Sequence, residues 1–137
     1  EEKDKSMKMS ERLNLYKDRQ RNNLSENAYG AIVRLRMDNS HPLGFGYDKE
    51  YLSLKLRNRR YAYLESGWNV GTTQDSTSIV SGFVGFKAKQ NFRESLVFGV
   101  EEIGRGSVVY MVDNPLFRGF WYNGKLLFGN AVFLVGN

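Results

Sequence analysis

The stretch SVVYMVDNPLFRGFWYNGKLLFGNAVFLVG, residues 107–136, is the most apolar part of the chain, and it decides how the end of the chain folds. Residues 107–112 are rich in β-branched side chains and predict a strand. The Asp-Asn-Pro sequence at 113–115 ends that strand in a turn. Residues 126–134 are apolar on nearly every side, which predicts a buried helix after the turn.

The size and composition of the chain indicate one globular domain. It has 137 residues, of which 41% are hydrophobic and 14% are aromatic. That length is enough for a core of its own, and the composition is unlike that of a disordered segment. No apolar run approaches the roughly 20 residues that span a bilayer, and the charged start does not resemble a signal peptide. We therefore expect no membrane partner, and an export signal would have to lie upstream of Glu1.

The charge and the absence of cysteine exclude several classes of function. Without cysteine there are no disulfides, thiolate metal sites or cysteine nucleophiles. The 20 Lys+Arg against 15 Asp+Glu give a formal net charge of +5, which is a modest basic excess. The only local candidate for nucleic-acid binding is RNRRYAY at 57–63, and a solvated hairpin tip explains it better. We therefore expect no nucleic-acid partner.

Alternating and β-branched segments predict about six strands. They cover residues 31–37, 51–56, 61–65, 79–86, 96–100 and 107–112. The alternation in the first two predicts inward-facing sets, namely Val33, Leu35 and Met37 in the first and Leu52, Leu54 and Leu56 in the second. Residues 61–65 are expected to pair back on 51–56 as a hairpin.

The charged N-terminal region differs in character from the remainder. We predict a helix from about Ser10 to about Arg21, preceded by a linker, so that residues 1–23 form a charged linker and helix. Residues 24–137 form a single domain. The predicted fold class is α+β, with a mixed, largely antiparallel sheet of about six strands and a helix at each end.

The residues show no pattern typical of a catalytic or metal site. His41 is the only histidine, and the chain has no HExxH or HxxE spacing, which disfavours a zinc site. No serine lies in a G-x-S-x-G elbow. Glu101 and Glu102 are adjacent on a strand and therefore point to opposite faces. We predict no catalytic and no metal-binding residue in this chain.

Asp113 and Arg118 are charged residues within the apolar stretch. Asp113 is expected to cap the following helix by accepting backbone N–H groups, and catalysis is the minor alternative. Arg118 lies in the apolar run LFRGFW and needs a partner, which Asp113 or the C-terminal region could supply. A structural ion pair is therefore the expectation for Arg118.

Three segments resemble a known family of proteins. They are SENAYGAIVRLRMDNSHPLGFGY at 25–47, LESGWNVG at 64–71 and LVFGVEEIGRGSVVYMVDNPLFRGFWYNGKLLFGNAVFLVG at 96–136. Together they resemble the C-terminal region of large bacterial zinc carboxypeptidase-type metallopeptidases, over about residues 8–137. The pairing of HPLGFGY with DNPLFRGFW is a fairly specific part of this resemblance.

The resemblance implies a larger parent protein. In that family a metallocarboxypeptidase domain comes first and a class I glutamine amidotransferase-like domain of flavodoxin-like fold closes the chain, of which this chain resembles the later part. Zinc and its ligands would belong to the upstream peptidase domain, so no cofactor is expected in this chain. That domain would be its partner, and the parent would be secreted or periplasmic. The resemblance also implies a crevice beyond the 107–112 strand, with His41, Asp113, Asn114 and Arg118 as candidates for a ligand pocket.

Two functions follow as expectations. The first is a non-catalytic accessory C-terminal domain of a zinc carboxypeptidase-type peptidase, with a structural or substrate-presenting role. The alternative is a stand-alone binding module for a peptide, glycan or anion, which would use Tyr47, Trp68, Trp121 and Tyr122. If earlier strands of the sheet precede Glu1, the chain exposes an unpaired edge and apolar surface. We then expect a homodimer or another form of self-association.

Overall fold

The computed structural model describes residues 15–74, 78–90 and 92–136. Within these ranges three helices and six strands follow one another. They are α1 (Arg19–Glu26), β1 (Ala28–Met37), β2 (Glu50–Lys55), β3 (Trp68–Thr73), β4 (Ile79–Val84), α2 (Phe86–Gln90), β5 (Ser95–Ile103), β6 (Gly106–Met111) and α3 (Asn123–Phe133). The predicted α+β class is thereby confirmed, with a helix near each end. The predicted helix start at Ser10 lies outside the described residues.

The six strands form one curled sheet in the order β2-β1-β3-β5-β6, with β4 also paired to β1. Thr72 of β3 lies opposite Arg36, and Gly82 of β4 lies opposite Ala31. The strands β3 and β4 therefore follow one another along the same edge of β1. Every ladder among the described residues is antiparallel, so the parallel pairs of a doubly wound sheet are not among them.

The third strand of the sheet is not the predicted one. Residues 61–65 lie outside regular structure, and the Tyr61 carbonyl accepts a hydrogen bond from the Leu96 amide at 2.9 Å. Trp68–Thr73 forms β3 instead, between β1 and β5. Its sequence has no clear alternation, but a Cβ on Gly71 would lie 2.6 Å from the Phe98 ring, so close packing against β5 depends on this glycine.

The inward face of β2 is the reverse of the prediction. Antiparallel pairing places Tyr51, Ser53 and Lys55 opposite Leu35, Val33 and Ala31. Because opposite residues share a face, these β2 side chains join the buried face of β1, whose predicted alternation is confirmed. The leucines predicted to point inward lie on the other face, namely Leu52, Leu54 and Leu56.

The core lies under the curled sheet and is closed by α3. It runs from Ala28 on β1 to Leu127 on α3. The helix buries only Gly124, Leu127 and Asn130, so the helix predicted to be buried is buried on one side only. Its outward face, defined by Leu126, Phe128, Val132 and Phe133, is exposed. None of the described helices is long and apolar enough to cross a membrane.

Candidate functional site

A cleft of about 610 Å³ opens where four parts of the fold meet. These parts are the turn at residues 38–42, the start of β3, the β5–β6 hairpin and the segment that follows α3. The volume falls within the range of small-ligand sites. We call it the Trp68 cleft, and the side chains that define it are His41, Trp68, Glu102, Arg105 and Ser107.

Trp68 supplies the aromatic surface of this cleft. Its side chain is 54% exposed, and its ring centroid lies 6.0 Å from that of His41 with a tilt of 46°. The preceding Gly67 has a φ of +121°, and a Cβ there would lie 2.4 Å from the Val100 carbonyl oxygen. Only glycine lets the chain enter β3 at this point, and this entry places Trp68 at the cleft.

His41 presents one nitrogen for hydrogen bonding. Its Nδ1 accepts a hydrogen bond from the Leu43 amide at 3.1 Å, which caps the 3₁₀ turn at Pro42–Gly44. The proton of the neutral ring is therefore on Nε2, which is a donor. Burial lowers the pKa of His41, and the charge of Asp38 offsets part of this effect. The ring is thus a neutral donor at neutral pH.

Asp38 adds a fixed negative charge at the rim of the cleft. Its Oδ1 accepts hydrogen bonds from the Ser40 hydroxyl at 2.5 Å and from the Ser40 amide at 3.0 Å. The hydrogen bond from the Ser40 side chain is the main reason that the pKa of Asp38 is lowered. Together with Glu102 and Arg105, the cleft offers both donors and acceptors of hydrogen bonds.

Of the four residues predicted for a ligand pocket, only His41 lines the Trp68 cleft. Asp113 is buried, with its Oδ2 accepting a hydrogen bond from the Ser53 hydroxyl at 2.8 Å. Asn114 and Arg118 lie on the loop before α3. The Arg118 guanidinium lies 5.1 Å from the Phe117 ring centroid. The structure does not bring these three to His41, and ligand binding by the four residues stays a prediction.

The predicted cap at the end of β6 is formed by a different residue. Asn114 Oδ1 accepts the Leu116 amide at 2.9 Å, while the Asp113 carboxylate faces inward to β2. Of the two partners expected for Arg118, which were Asp113 and the C-terminal region, Asp113 pairs with Lys55 instead. The distance from Lys55 Nζ to Asp113 Oδ1 is 3.3 Å. The reversed face of β2 is the physical reason, since it brings Lys55 into the interior beside Asp113.

The buried trio Ser53, Lys55 and Asp113 is the polar cluster that the sequence did not reveal. Lys55 is only 1% exposed, and its Nζ also lies 5.4 Å from the Phe92 ring centroid. Serine, lysine and aspartate occur together in catalytic sites, but this trio has no access for a substrate. Its role is to satisfy buried polar groups. The only signal for it was the alternation of polar residues with leucines in β2. This alternation does not show which of the two sets faces the core until the pairing register with β1 is known.

The remaining aromatic candidates belong to a second, wider hollow or to the interior. Trp121 and Tyr122 line an open hollow of about 970 Å³ near β2, where Trp121 Nε1 donates to the Leu52 carbonyl at 3.2 Å. Lys125 Nζ lies 3.8 Å from the Tyr122 ring centroid. The Tyr47 hydroxyl is used in the contact with α3. These aromatic residues therefore do not form one surface with Trp68.

Among the described residues there is no group of three His, Asp or Glu side chains that could hold a metal ion. A comparison of the chain with family models, with curated proteins and with solved structures finds no match.

Proposed function

We propose that this chain is a non-catalytic accessory domain from the C-terminal region of an exported zinc carboxypeptidase-type peptidase. Its role is structural or substrate-presenting, and zinc belongs to the upstream peptidase domain. The proposal starts from the sequence resemblance. The observation that best supports it is that the two paired segments of the resemblance, HPLGFGY and DNPLFRGFW, make internal contacts around α3.

The segment HPLGFGY at 41–47 holds α3 in place. Asn130 Nδ2, buried on the helix, donates to the Leu43 carbonyl at 3.1 Å and to the Phe45 carbonyl at 2.7 Å. The Tyr47 hydroxyl donates to the Asn123 carbonyl and accepts from the Leu127 amide at 2.8 Å. The Leu43 and Phe45 carbonyls and the Tyr47 hydroxyl are therefore committed to the helix, whereas the His41 side chain lines the Trp68 cleft.

The segment DNPLFRGFW at 113–121 joins β6, β2 and α3. Asp113 binds Ser53 and Lys55 inside the core, and Trp121 binds the Leu52 carbonyl at the edge of β2. Pro115 contacts Gly124 so closely that a Cβ there would lie 1.9 Å from the Pro115 carbonyl oxygen. Asp113, Pro115 and Trp121 therefore have packing roles, and no catalytic role is needed to explain these three residues.

Exposed apolar side chains support a role in packing against a larger partner. Phe133 on the outward face of α3 is 73% exposed, and Phe86 at the start of α2 is 76% exposed. A helix that is apolar all round is normally buried. The peptidase portion of the parent is the partner that the resemblance implies.

An activity assay tests the non-catalytic part of this proposal. The purified chain, with zinc added, is incubated with peptides that carry different C-terminal residues, and release of the terminal amino acid is measured. We expect no release above that of a heat-treated sample. Turnover that follows the purified chain would overturn the proposal.

The coding sequence upstream of Glu1 tests the accessory part. We expect it to encode a peptidase domain with zinc-binding histidines and glutamate, preceded by an export signal. A coding sequence that starts near Glu1 without such a domain would contradict the proposal and favour the second candidate.

The second candidate is a stand-alone binding module for a peptide, glycan or anion. The Trp68 cleft favours it, because a half-exposed tryptophan lies beside the neutral Nε2 donor of His41 and the charged side chains of Glu102 and Arg105. The Trp121→Phe variant leaves Trp68 as the only tryptophan, so a fluorescence titration reports on this cleft. Saturable quenching that Arg105→Ala weakens would support this candidate, and an unchanged spectrum with peptides, oligosaccharides and phosphate would remove it.

A further inference from the structure

The strand β6 forms an edge of the sheet. Among the described residues it pairs only with β5, and no other backbone hydrogen bond to Gly106–Met111 is found. The half-exposed side chains along it include Val108, which is 40% exposed. An edge strand offers unpaired N–H and C=O groups to any second strand that reaches it.

The register of the β5–β6 hairpin decides which groups point outward. Ile103 lies opposite Gly106 across a two-residue turn, so this flanking pair exchanges both ladder hydrogen bonds. The Val112 amide donates to the Val97 carbonyl at 2.9 Å. Val112 lies six residues after Gly106, an even number, so the backbone groups of both residues point toward β5. Even-numbered residues from Gly106 to Val112 therefore direct their backbone groups to β5. Ser107, Val109 and Met111 direct their N–H and C=O groups away from the sheet.

Within the described ranges, side chains donate to the backbone of the opposite edge strand, whereas no such bond to the β6 backbone is found. At β2 the Leu52 carbonyl accepts from Trp121 Nε1 at 3.2 Å and from Asn123 Nδ2 at 3.4 Å. Natural edge strands are also protected by charged side chains or proline. The strand GSVVYM at Gly106–Met111 contains neither.

We propose that β6 pairs with β6 of a second copy of this chain, antiparallel and with Val109 on the two-fold axis. The three outward residues are symmetric about Val109, so Ser107 meets Met111 of the second copy and Val109 meets itself. Each of these three pairs exchanges two backbone hydrogen bonds. A self-complementary edge of this kind closes as a two-fold dimer.

The side chains and charges of β6 fit a second copy. In this register Val108 lies opposite Tyr110 of the second copy, and this pair occurs twice. An aromatic side chain opposite a β-branched one is a favourable cross-strand pair. Although the chain carries a net charge of +5, the strand itself is uncharged, so the like charges of two copies do not meet along it. An extended peptide with charged side chains would lack this match.

The oligomeric state of two proline variants tests the proposal. Val109→Pro and Ser107→Pro each remove one outward N–H and leave the bonds to β5 intact, which proline permits at an edge. Val109→Ala and Ser107→Ala are the matched controls, because they shorten the side chain and keep the N–H. Sedimentation velocity over two decades of protein concentration should show a monomer–dimer equilibrium for the unmodified chain and both controls. Each proline variant should raise the dissociation constant about tenfold or more.

Hydrogen exchange at single amides gives a readout that does not depend on the variants. In dilute protein the amides of Ser107, Val109 and Met111 should exchange fast, while those of Val108 and Tyr110 are protected by β5. In concentrated protein the first three should become protected as well.

Three results would overturn the proposal. They are a monomer at all concentrations, a dimer that both folded proline variants retain, and outward amides that stay unprotected in the dimer. A monomer whose outward amides become protected only on addition of an extended peptide would assign this edge to strand addition by a peptide instead. Far-UV circular dichroism of each variant shows whether it is folded, and two positions keep the test decisive if one variant is not.

Discussion

At the scale of single residues, His41 has a structural role that a substitution can isolate. Its Nδ1 accepts the Leu43 amide, in the geometry with which an asparagine carbonyl accepts the amide two residues on. His41→Ala should lower the free energy of unfolding by about 1 kcal/mol, because the amide loses its acceptor. His41→Asn should stay close to the unmodified chain. Urea unfolding of both variants measures the difference, and equal losses would contradict the capping role.

The pH dependence of stability gives a second prediction for His41. The pKa of His41 in the folded chain is lowered below its ordinary value of 6.5, mainly by burial, so the unfolded chain binds the proton first. The stability contributed by the neutral ring is therefore complete above about pH 6.5 and is lost as pH falls through 6.5 toward the folded pKa. Because His41 is the only histidine, urea midpoints at pH 7 and pH 5 should differ less in His41→Asn than in the unmodified chain. An identical pH dependence would contradict this.

The buried pair of Lys55 and Asp113 allows a test by a double substitution. Lys55→Met alone leaves the Asp113 charge buried without its cation, and we expect a loss of about 3 kcal/mol or more in the free energy of unfolding. Adding Asp113→Asn removes that charge and keeps an acceptor for the Ser53 hydroxyl. The double variant should therefore be more stable than Lys55→Met, as measured by urea unfolding. Losses that simply add would show that the two side chains are not coupled.

At the scale of elements, two glycines of α3 make opposite predictions. Gly124 lies against Pro115, where an added Cβ has no room because the nearest atoms are backbone. Gly129 faces open space, with nothing within 4 Å of an added Cβ. Gly124→Ala should destabilise the chain by about 1–3 kcal/mol through overpacking. Gly129→Ala should stabilise it by up to about 1 kcal/mol through helix propensity.

Thermal unfolding of the two alanine variants compares them directly. A higher melting temperature for Gly129→Ala together with a lower one for Gly124→Ala would agree with the docking of α3 on the DNP turn. A stabilised Gly124→Ala variant would mean that the contact with Pro115 is looser than the structure has it.

Elements with a regular pattern could be predicted from the sequence, and those set by tertiary contacts could not. The alternation of β1 and the β-branched run of β6 are local signals, and both strands are found in the structure. The strand β3 has no alternation of its own and depends on the packing of Gly71 against Phe98. For β2 the leucines dominated the pattern, whereas the register with β1 decides which face is inside.

The candidate site was harder to predict for the same reason. His41 was named as a candidate for the ligand pocket through the resemblance, and it does line the Trp68 cleft. Trp68 was named as an aromatic candidate, but its place beside His41 depends on the pairing of β3 with β5. Asp113 was expected to accept backbone N–H groups of the residues that follow it in sequence. Its hydrogen-bond partners lie instead about 60 residues away on β2.

At the scale of the whole molecule, the core is continuous from β1 to α3, so residues 24–137 should unfold as one unit. The two tryptophans report on separate parts of the fold, because Trp68 lies in the Trp68 cleft and Trp121 lies at the edge of β2. Trp121→Phe and Trp68→Phe therefore give two single-tryptophan proteins with probes at different sites. In each, the urea midpoint from fluorescence should equal that from far-UV circular dichroism. Because the comparison is made within one variant, a shift in its overall stability does not affect it. A fluorescence midpoint that falls below the dichroism midpoint in either protein would show that the region around that tryptophan unfolds separately.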